Sequence, residues 1–370
     1  MQTAVELLSR TGGAEIESAT SDELESTAAA APSLAAAPDV SSADVSIGAS
    51  GEHLPTETSP SLRPVAVLAD AAVARWGRSS ASPFLVGEDR SVVRLGAGAA
   101  GYLQRGRWAV LATDVAAPEE QASNSLGLLL DRLDRERLRP VFACVDDPEP
   151  YRQRGMHAVP VAEDAVIDLT AFSLKGTRMA SVRHSVNAAR RARISVVPWS
   201  PDLAEGVAAV SAAWLATKRS GEMGFTLGRF DPDQLGRTDC RVAIDGCGRV
   251  QGFVTWHRFD AGRARVLDLM RRAPDAPNPT MDALIAESLL AFAADGVERA
   301  SLACVPHSRG ALAERIYPTK SLRRYKDKFA PAWQQRWFVV PSRRHLLGGL
   351  IAVARSYCPH GLREAVRRNG

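Results

Sequence analysis

Between Pro64 and Pro341 the chain runs twice through one rhythm of helix, β-type runs, helix and β-type run, and this duplication limits the fold more than any other feature. The first pass opens with "PVAVLADAAVARWG", helical in spacing. "SVVRLGAG", "AAGYLQRGRWAVLATD", "RPVFACV" and "DAVIDLT" follow as strands, with the amphipathic helix "ASNSLGLLLDRLDRERL" between two of them. The second pass opens with a helix from Asp202 to Lys218. It continues through "CRVAIDGCGRVQGFVTWHRF", a hairpin with "DGCGR" at its turn, and the strand "RARVLDLMRR". "TMDALIAESLLAFAADGVERASLACV" then gives a helix, a glycine stop and a strand. Such alternation predicts α/β (α+β) units. Two in tandem, with no repeat of 20–50 residues, indicate a duplicated fold rather than a solenoid.

Residues 1–60 break from this pattern. They are rich in Ala, Ser, Glu, Pro and Thr, and apart from Val5–Leu8 they hold nothing that could bury enough surface to offset the entropy of ordering. They read as a disordered tail. Ten acids and one arginine give that tail a net charge of −9, and the whole chain carries +4, so residues 61–370 carry +13. A body this basic suits a polyanionic partner, a nucleic acid or an anionic membrane surface, although an arginine- and alanine-rich composition alone produces the same charge. The five cysteines are scattered, without the spacing of zinc ligands or a disulfide framework, so reduced thiols are expected. No apolar run reaches 18 residues and the N-terminus lacks a signal-peptide pattern. The expectation is a cytoplasmic protein able to lie on the inner face of the cell membrane.

The stretch between the two passes, "SLKGTRMASVRHSVNAARRARISVVPW", begins as a helix with an apolar stripe of Met179, Val182, Val186 and Ala189. Arg183, Asn187 and Arg190 share another face, surrounded by Lys175, Arg178, Arg191 and Arg193. Six basic residues and no acid lie between Lys175 and Arg193. A one-signed face calls either for an anion, such as a phosphate backbone, or for acids elsewhere in the fold.

The order of elements in the second pass resembles the acetyltransferase-like (GNAT) fold. Acetyl-CoA members of that fold take pyrophosphate on the backbone N–H groups of a glycine-bearing loop at a helix start. The corresponding stretch here, "APDAPNPTMD", has three prolines and no glycine. Proline removes the donors such a cradle needs, so acetyl-CoA fits poorly. An acyl-CoA N-acyltransferase and a non-catalytic nucleic-acid binder are the alternatives in other classes. Four stretches point more narrowly: "LKGTRMASVRHSVNAARR", "WLATKRSGEMGFTLGRFD", "LDLMRR" with "PNPTMDALIAE", and "SLRRYKDKFAPAWQQRWFVVP". Together they resemble the C-terminal catalytic domain of the aminoacyl-phosphatidylglycerol synthases, the bacterial multiple peptide resistance factors. The likeness runs from about Arg63 to Pro341.

That resemblance implies tandem GNAT-like units at 61–174 and 201–341, a long basic helix joining them at 175–200, and a basic amphipathic tail at 342–370. It implies transfer of an amino acid from aminoacyl-tRNA to a hydroxyl of a membrane lipid such as phosphatidylglycerol. Because the ester arrives activated, no cofactor or metal is expected beyond aminoacyl-tRNA as co-substrate. The family's transmembrane flippase has no counterpart here, which leaves the acceptor open. The amino acid and the oligomeric state are open as well.

By the same resemblance, Asp282 matches the family's catalytic acid. A carboxylate at a helix start could take the acceptor's proton or orient the substrate amine, and it would also suit the helix dipole. Asp268 and Arg271 on the strand "LDLMRR" are expected near it, as substrate-binding residues. Glu222, in the glycine-flanked "GEMGF", is the candidate for gripping the aminoacyl amine, with Phe225 beside it. In "RYKDKF" the residues Arg324, Lys326 and Lys328 alternate, so on an extended segment all three point one way. Such a row could meet a phosphate or steady an oxyanion. Arg324 and Lys326 are grouped with Asp282 as catalytic, and Lys328 and Tyr325 as substrate contacts. Tyr325, Phe329 and Trp333 are expected to pack behind the row or stack on a terminal base. Lys175, Arg178, Arg183, Asn187, Arg190 and Arg191 are the expected tRNA contacts. From Ser321 onward eleven Lys/Arg face two acids. Leu346, Leu347, Leu350 and Ile351 there suit either an interfacial anchor or a helix packed on the body.

Overall fold

The computed structural model describes residues 63–217, 222, 224–307 and 319–357, so the expected tail at 1–60 and the basic end beyond Tyr357 lie outside the described residues. The strands are β1 (Ser91–Leu95), β2 (Gly98–Arg105), β3 (Trp108–Leu111), β4 (Arg139–Val145), β5 (His157–Asp168), β6 (Ser195–Pro198), β7 (Asp239–Ile244), β8 (Val250–Phe259), β9 (Ala264–Arg272), β10 (Arg299–Pro306) and β11 (Ala332–Val340). The helices are α1 (Arg63–Trp76), α2 (Glu119–Arg135), the single turn α3 (Glu149–Arg152), α4 (Ala180–Arg191), α5 (Ala204–Ala216), α6 (Thr280–Ala294), α7 (Thr319–Asp327) and α8 (Leu346–Tyr357). The helical and β-type runs read in the two passes fall on these elements, with Lys218 outside the described residues.

All eleven strands join one mixed sheet, in the order β1-β2-β3-β4-β11-β5-β10-β9-β8-β7-β6. Only β3/β4 and β9/β10 run parallel, each pair bridged by a crossover helix, α2 and α6. Apart from the extra edge strand β6, the order reads the same inward from both sides: β1 to β4 correspond to β7 to β10. The last strand of each pass is exchanged. β5 follows β4 in the chain but pairs with β10 and β11, and β11 follows β10 but pairs with β4 and β5. Each unit thus completes the other's sheet.

Side-chain alternation sorts the helices onto two faces. On β8, Val254 and Trp256 pack with α4 and α6, while Phe253 packs with α5. On β11, Trp333, Trp337 and Val339 lie on the α6 and α2 side, while Phe338 and Val340 lie with α1 and α8. One face therefore carries α2, α4, α6 and α7, and the opposite face carries α1, α5 and α8. The amphipathic stripe of α4 is buried as its spacing predicts, through Met179, Val182, Val186 and Ala189. Of the two settings open for the C-terminal helix, α8 takes the packed one: Leu346, Leu350 and Val353 lie against the core and Gly349 abuts Val340.

At the centre a buried polar node ties the exchanged strands together. Asp164 on β5, wholly buried, accepts from Ser80 Oγ at 2.6 Å, Ser301 Oγ at 2.5 Å and Arg336 Nη2 at 2.8 Å. These partners come from the first unit, from β10 and from β11. A buried carboxylate is tolerated when it is saturated in this way. Beside the node, "FACV" on β4 and "LACV" on β10 occupy corresponding places, and the Cys144 and Cys304 sulfurs lie 3.6 Å apart as free thiols.

Candidate functional site

The candidate residues fall into two groups on opposite faces of the sheet. On the α5 face, Asp268 projects from β9 with its side chain only 6% exposed. One oxygen accepts the Gly228 backbone N–H at 2.8 Å and the other lies 3.1 Å from His257 Nε2. His257 sits on β8 and pairs with Val266, so Asp268 is its diagonal neighbour across the ladder. Its ring packs edge-on to Phe84 from the first unit, at 5.4 Å. A carboxylate behind a half-exposed imidazole is the arrangement of a general base and its orienting partner. Next to it, buried Arg271 forms an ion pair with Glu222 and donates to Ser211 Oγ at 2.5 Å, with the rings of Trp214 and Phe230 against its guanidinium. Glu222 also accepts the Phe230 backbone N–H at 3.1 Å.

On the α6 face, Asp282 lies in the first turn of its helix, 6% exposed, and forms an ion pair with Lys328 Nζ at 2.9 Å. Tyr325 stands beside this pair, its ring 4.8 Å from Lys328 Nζ and its hydroxyl buried next to the Asp282 carboxylate. Burial, and then the Asp282 carboxylate, hold that phenol well above its usual range. Thr280 Oγ1 is buried and unpartnered, and Arg272 reaches Asn278 nearby. A carboxylate and an unpartnered hydroxyl at a helix start, with an ammonium and a phenol beside them, can together receive a cationic amine and an oxyanion.

The grouping expected from the sequence needs correction here. Asp282 does not share a side with Asp268 and Glu222; the sheet lies between them. Nor do Arg324, Lys326 and Lys328 form an extended row. Thr319–Asp327 is a helix, which turns the three side chains apart. Arg324 faces solvent, Lys328 beyond the helix reaches Asp282, and Lys326 is 5% exposed and turned inward. Its Nζ donates to the Ala303 carbonyl at 2.8 Å and the Cys304 carbonyl at 3.2 Å, and burial pulls its pKa down to about 8. Phe329 is core, Tyr325 and Trp333 pack against the same cluster, and the Trp333 ring is stacked under Arg323 at 4.1 Å. Phe225 is buried too, under a cation from the first unit, and does not line an open surface.

The sheet opens where β9 and β10 part. These strands pair over only three positions, Arg299 to Ser301 against Ala264 to Val266. Beyond them β10 runs on with β5 and leaves β9 unpaired on that side. Asp268 lies on one rim of the gap. The Ala303 and Cys304 backbone held by Lys326 forms the other, at a bulge where Ala303 takes φ +66°.

The basic helix also differs from its expectation. It is a 12-residue helix that begins at Ala180, after Lys175 and Arg178. Arg183 turns back to donate to the Leu174 and Gly176 carbonyls, the latter at 3.0 Å, and Arg190 pairs with Glu287 of α6 at 2.8 Å. These two cations are therefore already engaged within the fold. Lys175, Arg178, Asn187 and Arg191 are exposed.

His257, Ser211 and Arg272 were not singled out in the sequence. A lone histidine in a strand has no signal until a neighbouring strand brings a carboxylate to it. Among the described residues no cluster of three or more His, Cys, Asp or Glu could hold a metal ion, and no helix is long and apolar enough to cross a membrane.

Two α/β passes that complete one shared sheet define a duplicated mixed α/β domain. The chain belongs to the family of phosphatidylglycerol lysyltransferase C-terminal domains, whose profile matches residues 70–340. It is 27% identical over 232 residues to the phosphatidylglycerol lysyltransferase of Bacillus subtilis strain 168, covering 57% of this chain and 27% of that protein. It is 32% identical over 168 residues to the lysylphosphatidylglycerol biosynthesis bifunctional protein LysX of Mycolicibacterium gilvum, covering 43% of this chain and 15% of that protein. The chain thus spans about a quarter or less of the length of these relatives. Among solved structures, the C-terminal domain of a lysylphosphatidylglycerol synthetase from Agrobacterium fabrum superposes with TM-score 0.72 at 24% identity, over 81% of this chain and 99% of that one. L-PGS from Bacillus licheniformis superposes with TM-score 0.71 at 22% identity, over 83% and 99%.

Proposed function

We propose that this domain moves an aminoacyl group from aminoacyl-tRNA to a hydroxyl of an anionic phospholipid such as phosphatidylglycerol, and that donor and acceptor approach from opposite faces of the sheet. The observation that carries this reading is the pair of polar clusters, one on each face, beside the place where β9 and β10 separate. The exposed cations Lys175, Arg178 and Arg191 lie on the α4 and α6 side, which suits the tRNA. Asp282 and Lys328 on that side would receive the aminoacyl ammonium and a phosphate or ribose oxygen of the tRNA end. On the other side, His257 backed by Asp268 would take the proton from the lipid hydroxyl. The hydroxyl oxygen then forms a bond to the ester carbonyl carbon, and the tRNA 3′ oxygen leaves and takes up a proton. Donors at the gap would hold the negative charge that develops on the carbonyl oxygen. The ester carries its own activation, so the step needs neither ATP nor acetyl-CoA.

The test is to incubate the protein with a charged-tRNA pool and vesicles containing phosphatidylglycerol, then search the lipids by mass spectrometry. An aminoacylated lipid formed without acetyl-CoA, and surviving EDTA, is the expected result. A strict requirement for acetyl-CoA, or aminoacyl transfer only to water-soluble amines, would overturn the reading.

A further inference from the structure

We infer that Arg90, in the first unit, is a positioning residue that sets the loop of the second unit carrying Glu222 and abutting Asp268. This rests on the proposed site, though its decisive measurement does not need the reaction. Arg90 precedes β1, yet its guanidinium reaches the loop at residues 224–230 and donates through Nη2 to the Phe225 carbonyl at 2.8 Å. The Phe225 ring lies 5.0 Å from the same guanidinium, so one side chain grips both the backbone and the ring of one residue. Phe225 takes φ +69°, a conformation that a bulky residue holds only where its surroundings impose it.

The loop is fastened at several further points, among them Thr226 Oγ1 against the Tyr357 hydroxyl at 2.5 Å. Glu222 is paired with Arg271, the Gly228 N–H is held by Asp268, and α8 supplies the Tyr357 carbonyl to the Gly224 N–H at 3.2 Å. Two of these fastenings are the site itself. Arg90 and Tyr357 fix where the loop's near end stands, and the separation of Glu222 and Asp268 follows from that.

Stability alone gives poor grounds for an arginine here. Its side chain is 5% exposed, and Nε and Nη1 are buried without hydrogen bonds. Its one ion-pair neighbour, Asp89 at 3.4 Å, is more than half exposed, while Arg105 and Arg229 press like charge on it. A half-satisfied buried cation is costly, and an apolar side chain of similar length would avoid that cost. Sites that break the local rules in this way tend to be functional ones.

The test compares Arg90→Met and Arg90→Lys with the unaltered protein. Hydrogen exchange of the backbone amides at 224–230, read by mass spectrometry, should speed by about tenfold or more while the sheet amides stay protected. The melting temperature should hold or rise. In the transfer assay kcat should fall about 10- to 100-fold with little change in KM for aminoacyl-tRNA, the size of loss that a displacement near 1 Å produces. Unchanged exchange at 224–230 sinks the proposal. So does faster exchange throughout with a lowered melting temperature in both variants, which would make Arg90 a plain structural residue. If the unaltered protein transfers nothing to lipid, the proposed function fails while the exchange measurement still decides the role of Arg90.

Discussion

His257 and Asp268 show how much of the site is written in single residues and how much in their meeting. Asp268 and Arg271 stand out in "LDLMRR", and Glu222 stands out between glycines, so the carboxylates and their guanidinium were legible in the sequence. The histidine was not. Its proposed role as a base depends on the antiparallel pairing of β8 with β9, which sets Asp268 diagonally opposite it. His257→Ala and Asp268→Asn should each lower the transfer rate about 10²–10⁴-fold, the usual cost of losing a general base or its partner. Steady-state rates beside melting temperatures check this, and near-full activity in both would move the chemistry elsewhere. Lys326 carries a separate pH signature. Its pKa is drawn down from 10.5 to about 8 by burial, so between these values the unfolded chain holds more protons than the folded one. Stability must therefore rise with pH across that window, by up to about 3 kcal/mol from this group. Lys326→Met should flatten that rise, whatever it does to stability at neutral pH. Denaturant titrations at pH 7.5 and 10 read the slope, and equal slopes in both proteins would contradict a buried, charged Lys326.

The two basic elements were the hardest to read. The period-two spacing of Arg324, Lys326 and Lys328 suggests an extended row, yet "TKSLRRYKD" consists largely of straight-chain residues with good helix propensity, and the segment is helical. Three cations at alternate positions point one way on a strand and around the axis on a helix, so one wrong element type dispersed the expected row. The helix α4 was legible as an amphipathic element because its apolar stripe has the right period. Its charged face was not, because Glu287 lies 97 positions away from Arg190 in the chain. Arg190, exposed but paired with Glu287, should separate experimentally from the exposed Arg178 and Arg191. Reversing Arg178 and Arg191 to Glu should weaken tRNA binding and flatten its dependence on salt, since fewer counterions are released, while the melting temperature stays near its starting value. Reversing Arg190 should lower the melting temperature as well, because it faces Glu287. An unchanged slope of log affinity against log salt in the Arg178/Arg191 variant would remove α4 from the tRNA interface.

At the scale of the molecule, the duplication was legible and the exchange was not. Alternating helix and strand patterns reveal two units, but pairing between strands far apart in sequence leaves no local trace. The short echo of "FACV" and "LACV" was the one available hint of corresponding strands. In the fold, β5 belongs to the first pass and pairs with β10, while β11 belongs to the second and pairs with β4. Asp164 on β5 is satisfied only when Ser80, Ser301 and Arg336 all reach it. A fragment of residues 63–175 would keep Ser80 and lose the other two, leaving a buried carboxylate short of partners and β4 without a neighbour on one side. A fragment of residues 176–357 would hold β11 with neither β4 nor β5 to pair with. Unpaired, exposed strand edges and unsatisfied buried charges are each enough to unfold or aggregate a small domain. Neither fragment should therefore show a cooperative melt alone, and mixing the two as they refold should restore one. Circular dichroism melts of each fragment and of the refolded mixture make the comparison. Two independent cooperative transitions would mean that the exchanged strands contribute little, and the units would then be separable domains rather than halves of one sheet.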